Sequence, residues 1–71
     1  MSSQPTFGQQ LRAAMGTLQQ KELAARSGLS QGTISLLLRD KSEPKLGTLL
    51  ALERALPRLR KIREDDRRAA A

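Results

Sequence analysis

Thirteen Lys and Arg against seven Asp and Glu over 71 residues leave a net charge of +6, a balance that points to a polyanionic partner. One Phe and no Tyr or Trp mean that leucine and alanine must build the core, which suits one small helical domain and is poor material for strands. Without cysteine or histidine the chain has no disulfide framework, no thiolate site, and neither the commonest metal ligand nor the commonest general base.

Residues 1–5, a methionine followed by Ser, Ser, Gln and Pro, are expected to form a flexible N-terminus. Thr6 is the expected N-cap of a first helix, with Phe7, Leu11 and Ala14 or Met15 at helical spacing through about Met15. Gly16-Thr17 interrupts that helix, and Leu18 is expected to tuck into the core before Thr17 or Gln19 caps the next one. The second helix covers Gln20 to Ser27, with Leu23 and Ala24 inward. Gly28 ends it, because a helix C-terminus commonly needs one residue at positive φ and glycine reaches that conformation without steric cost. Leu29 closes the turn and Ser30 caps a third helix, from Gln31 to about Arg39, whose Ile34, Leu37 and Leu38 share one face. Two short helices meeting at a glycine corner make a helix-turn-helix, whose second helix is commonly laid in a DNA major groove.

Asp40 follows, a residue that tolerates the left-handed conformation better than most. Lys41 to Lys45 reads as a loop, and a fourth helix is expected from about Leu46 to Leu56. Its Leu46, Leu49, Leu50, Leu52 and Leu56 span about 160°, wider than one core-facing stripe requires. Pro57 marks a boundary. The tail PRLRKIREDDRRAAA can form a fifth helix with proline in its first turn and Leu59 and Ile62 on one side, its charged and alanine-rich second half fraying.

The stretch QKELAARSGLSQGTISLLLR resembles the phage-repressor-like (Cro/Xre-type) helix-turn-helix domains. It carries an LA pair, Leu23-Ala24, then Gly28 after three further residues, then a capped recognition helix opened by Ser30-Gln31. The likeness runs from about Thr6 to Leu56, with EPKLGTLLALERAL similar to that family's fourth helix. The chain departs from the pattern in a short connection between the first two helices, in Met15 where a basic residue is common, and in Asp40 where glycine is usual. The resemblance implies an all-α, compact, lambda-repressor-like bundle of four or five short helices. The DNA-binding domain would occupy residues 6–56 and a basic C-terminal helix or tail residues 57–71.

Within that resemblance, Gln31, Gly32, Thr33, Ser35 and Leu36 are the expected base-contacting set. Gln can pair with an adenine edge, Thr offers a hydroxyl or a methyl, and Leu36 can pack on a thymine methyl. Gln20, Ser30, Arg39, Lys41 and Lys45 are the expected phosphate contacts. Gln20 opens a helix where backbone N–H groups suit an anion, and in the family such a glutamine often braces the first glutamine of the recognition helix, here Gln31. A single recognition helix reads few base pairs, so a homodimer on a palindromic operator is expected, with Leu50, Leu52, Leu56, Leu59 and Ile62 as interface candidates.

No pairing of carboxylates suggests catalysis, and the chain is expected to be a cytoplasmic non-enzyme without cofactor, metal or small-molecule ligand. A membrane partner is not expected, since the basic tail has no bulky apolar face beyond Leu59 and Ile62 and no apolar run suits a signal peptide or a span. The function expected is a small repressor acting by operator occupancy, with no room in the chain for an effector domain. Two alternatives stand beside it: a DNA-binding antitoxin or accessory subunit of a larger complex, and a protein-interaction module that binds no DNA.

Overall fold

Helices α1 (Phe7–Met15), α2 (Gln20–Ser27), α3 (Gln31–Leu38), α4 (Leu46–Ala55) and α5 (Pro57–Ala70) follow one another in the computed structural model, which describes residues 4–70. α1 opens with reciprocal capping. The Gln9 N–H donates to Thr6 Oγ1 at 3.1 Å, and the Thr6 N–H donates to Gln9 Oε1 at 2.9 Å, so both partners satisfy backbone donors that a helix start leaves open. α3 is capped the same way on one side, its Thr33 N–H donating to Ser30 Oγ at 3.1 Å. The predicted caps Thr6 and Ser30 are therefore in place, and of the two candidates for α2 it is Gln19 that stands at the N-cap.

The helices close a ring. α1 packs on α3 and α5, α2 on α3 and α4, and α4 on α5. Inside it Leu11, Leu23, Ile34, Leu37, Leu52 and Leu59 are fully buried, and Phe7, Met15, Leu18, Leu29 and Ile62 pack around them. Each fully buried leucine or isoleucine contributes about 1.5–3 kcal/mol, so a leucine core of this size suffices for a ring of short helices.

α5 is part of the packed ring. Pro57 separates two helices but not two folding units, because Leu59 is fully buried and Ile62 lies against the core. Its second half, expected to fray, is helical through to Ala70. Polar side chains dock α5 beyond Ile62. Arg63 pairs with Glu53 at 3.2 Å, both largely shielded, and its guanidinium lies 5.7 Å from the centre of the Phe7 ring. Gln10 Nε2 donates to Asp66 Oδ2 at 3.0 Å. Of the N-terminus expected to be flexible, Met1 to Ser3 fall outside the described residues, and Gln4 and Pro5 are exposed.

Candidate nucleic-acid interface

The corner between α2 and α3 is set by backbone conformation. Gly28 sits at φ 77°, and its N–H donates to the Ala24 carbonyl at 2.9 Å. No atom lies near the place a Cβ would take, so left-handed backbone alone demands glycine there. The Leu29 N–H donates to Ser27 Oγ at 3.3 Å and completes the turn. α3 then presents Ile34, Leu37 and Leu38 to the core.

The opposite face carries the predicted base-contacting set. Gln31, Gly32 and Leu36 are exposed, and Thr33 and Ser35 are half-buried. Leu36 keeps 42% of its surface in solvent, just before the buried Leu37 and Leu38. A hydrogen bond of 2.9 Å joins the Ser30 and Thr33 hydroxyls. One hydroxyl hydrogen of the pair is spent in that bond and one stays available to an outside acceptor. Ser30 and Thr33, assigned to phosphate and base respectively, therefore share one free donor between them.

Gln20 and Gln31, from the first turns of α2 and α3, line one cleft of about 430 Å³, with no hydrogen bond between them in the free chain. The same cleft is lined by Arg12 and Lys21, two cations the sequence reading passed over. Lys21 carried a legible signal. A cation in the first turn of a helix opposes the helix dipole, so the positive potential there is additive and suits an anion. Arg12 sits in the last turn of α1, where a cation is ordinary, and only the packing of α1 beside α3 brings it to the cleft.

The three predicted cations beyond α3 are exposed as expected: Arg39, Lys41 and Lys45. Arg39 Nε donates to the Ser35 carbonyl at 3.4 Å, which leans its guanidinium along α3. Among the described residues the salt bridges are Arg60–Glu64 and Arg63–Glu53, so Arg12, Lys21, Arg39, Lys41 and Lys45 keep their charges unneutralised. Two of the nearby carboxylates are engaged inside the chain. Glu22 Oε1 accepts from the Gln19 N–H at 3.5 Å, and Asp40 accepts from Thr6 and Gly8.

The interface set needs correction. Leu52, Leu56 and Leu59 are 0%, 7% and 0% exposed, consumed by the chain's own core and unavailable to a second copy. Ile62 packs on that core as well. Leu50, 49% exposed, keeps its place, and Leu46, 72% exposed, joins it one turn earlier on α4. The wide apolar arc of α4 therefore divides, with Leu52 turned inward and Leu46 and Leu50 outward.

No helix among the described residues is long and apolar enough to cross a membrane. The chain matches the Helix-turn-helix family model over residues 9–60. It is 52% identical over 50 residues to an HTH-type transcriptional regulator of Sinorhizobium fredii, a match covering 68% of this chain and 26% of that protein. The chain thus corresponds to about a quarter of that relative's length. No solved structure matches it significantly. The turn at Gly28, the cap at Ser30 and the match across residues 9–60 agree, and the chain belongs to the helix-turn-helix family of DNA-binding domains, in its phage-repressor-like (Cro/Xre-type) class.

Proposed function

We propose that the chain binds duplex DNA in a sequence-dependent way and acts as a small Cro-like repressor, occupying a palindromic operator as a homodimer. The observation that carries this reading is the outer face of α3, where exposed Gln31, Gly32 and Leu36 stand amid exposed, unneutralised cations. In this reading Gln31 bonds an adenine edge, Leu36 excludes water against a thymine methyl, and the Ser30–Thr33 pair donates its free hydroxyl hydrogen. Gln20 sits at the N-terminus of α2, where backbone donors and the dipole favour a phosphate. Arg12, Lys21, Arg39, Lys41 and Lys45 neutralise further phosphates, which fixes register without reading sequence. The dimer would form through Leu46 and Leu50, the exposed leucines of α4.

Mobility shift with random-sequence duplex, repeated over a series of salt concentrations, tests the electrostatic half of this reading. Log affinity should fall linearly with log salt, at about −0.9 per phosphate neutralised. Lys41→Ala should make the slope shallower by roughly one unit and leave the preferred sequence unchanged. An affinity independent of salt, or no retention of duplex at low salt, would contradict the proposal.

A further inference from the structure

We propose that Asp40 is a positioning residue for DNA recognition, acting through Thr6 and Gly8 to fix the exit of α3 against the start of α1. The proposal rests on the reading that α3 contacts DNA and assigns that contact a support far away in sequence.

α3 ends in a tight hydrogen-bonded reversal. The Asp40 N–H donates to the Leu37 carbonyl at 3.1 Å and the Lys41 N–H to the Leu36 carbonyl at 2.9 Å, the pattern that closes many helices around one left-handed residue. Glycine usually fills that place. Here it is Asp40 at φ 55°, the one non-glycine residue with positive φ among the described residues. A side chain at such a φ carries strain that glycine would relieve, so the reason for aspartate lies in its carboxylate.

That carboxylate bridges two helices. Oδ2 accepts from Thr6 Oγ1 at 2.7 Å, and Oδ1 accepts from the Gly8 N–H at 3.0 Å. The Gly8 N–H is one of the donors that the first turn of α1 leaves without an intrahelical partner, and it lies at the positive end of the helix dipole. The fit is close enough to fix Gly8 as well. A Cβ there would stand 2.6 Å from the Leu38 carbonyl oxygen and 2.8 Å from that of Leu37, so the backbone of α1 rests directly on the last carbonyls of α3.

Two consequences follow for the cations on either side. Arg39 and Lys41 leave the reversal in directions set by the Asp40 backbone, and the bridge to α1 holds that backbone still. The carboxylate is also turned onto α1, where donors offset its charge, so the acid between two phosphate contacts does not repel the ligand at full strength.

Four variants separate position from charge. Asp40→Asn tolerates the left-handed backbone and keeps an oxygen for the Gly8 N–H, while the Thr6 hydroxyl can turn to accept from its amide. Asp40→Gly relieves the backbone and removes the bridge. Thr6→Val removes the hydroxyl donor together with the cap it offers the Gln9 N–H, and Thr6→Ser keeps both; this pair, with α1 helicity checked in each, tests the bridge should Asp40→Gly fail to fold. Each variant is measured folded, by circular dichroism, against a selected duplex and a random duplex at one salt concentration, with amide exchange at Gly8 followed in parallel.

Asp40→Asn and Thr6→Ser should hold the wild-type ratio of selected to random binding. Asp40→Gly loses both bonds of the bridge and should lower that ratio at least about tenfold, the scale of a single hydrogen bond to a charged group, and Thr6→Val should lower it in the same direction. Gly8 exchange should quicken in Asp40→Gly. A wild-type ratio in Asp40→Gly, or in a folded Thr6→Val where Asp40→Gly does not fold, would overturn the proposal. Equal deficits in Asp40→Asn and Asp40→Gly would overturn it too, since charge and not the bridge would then be at work. A wild-type chain that retained neither duplex would remove the DNA reading itself, a failure distinct from either of these.

Discussion

Leu36 follows Ser35 and precedes two buried leucines, yet 42% of its surface faces solvent. Such a side chain is only partly withdrawn from water, so Leu36→Ala should lower the unfolding free energy by about 1 kcal/mol and leave the chain folded. Against the preferred duplex the same change should cost about 1–3 kcal/mol. Replacing the thymine by uracil, which removes only the methyl, should weaken wild type and leave Leu36→Ala almost unaffected. Equal preference in wild type and variant would show that Leu36 does not read DNA, and an unfolded variant would show that it is needed by the core. The exposure of Leu36 was legible in the sequence because it follows from phase against Ile34 and Leu37. The left-handed turns at Gly28 and Asp40 and the caps at Thr6 and Ser30 were legible for a similar reason, since each is a bond or a φ within four residues. The bridge from Asp40 to Thr6 was not, because it joins residues 34 positions apart and no local rule carries that pairing.

At the scale of the element, α3 and α4 make a matched pair. Each has glycine at its second helical position, Gly32 and Gly47. A Cβ at Gly47 would meet nothing within 4 Å, and one at Gly32 would meet only Ser30 Oγ at 3.9 Å, so neither glycine is required for packing or for φ. Gly32→Ala and Gly47→Ala should therefore each stabilise the fold, by up to about 1 kcal/mol in thermal or urea unfolding. They should part on DNA. If the first turn of α3 approaches base edges closely, Gly32→Ala weakens binding and Gly47→Ala leaves it unchanged. Equal binding by both variants would place the first turn of α3 away from the bases. The bounds of α2 follow from its sequence, with Gln20 at the start and Gly28 beyond the end. The role of α5 was hidden by its composition. Only Leu59 and Ile62 mark its inner face, and the stretch beyond them docks through Arg63 and Asp66, which a sequence pattern reads as ordinary surface charge.

For the whole molecule, the closing of the ring by α5 makes residues beyond Pro57 part of the fold. Leu59→Ala should destabilise the chain by about 2–5 kcal/mol, the cost of a cavity in a packed core, as measured by urea unfolding. A loss of DNA binding in that variant would report unfolding and not a broken dimer. Leu50→Asp tests association separately, because Leu50 is 49% exposed. It should leave the unfolding transition in place and lower the sedimentation-derived mass of the DNA complex by one protomer; an unchanged complex would exclude Leu50 from the interface. The wide apolar arc of α4 hinted at a partner, but only the packed ring showed which of its leucines were already used. The central claim is that the outer face of α3 reads duplex DNA, and selection of bound sites from a random duplex pool tests it most directly. The enriched sites should contain two half-sites about 10 base pairs apart centre to centre, each with an adenine and a nearby thymine, and Gln31→Ala should lose the preference at the adenine. A pool that emerges unenriched from repeated selection at low salt, or an enriched sequence indifferent to both Gln31 and Leu36, would contradict it.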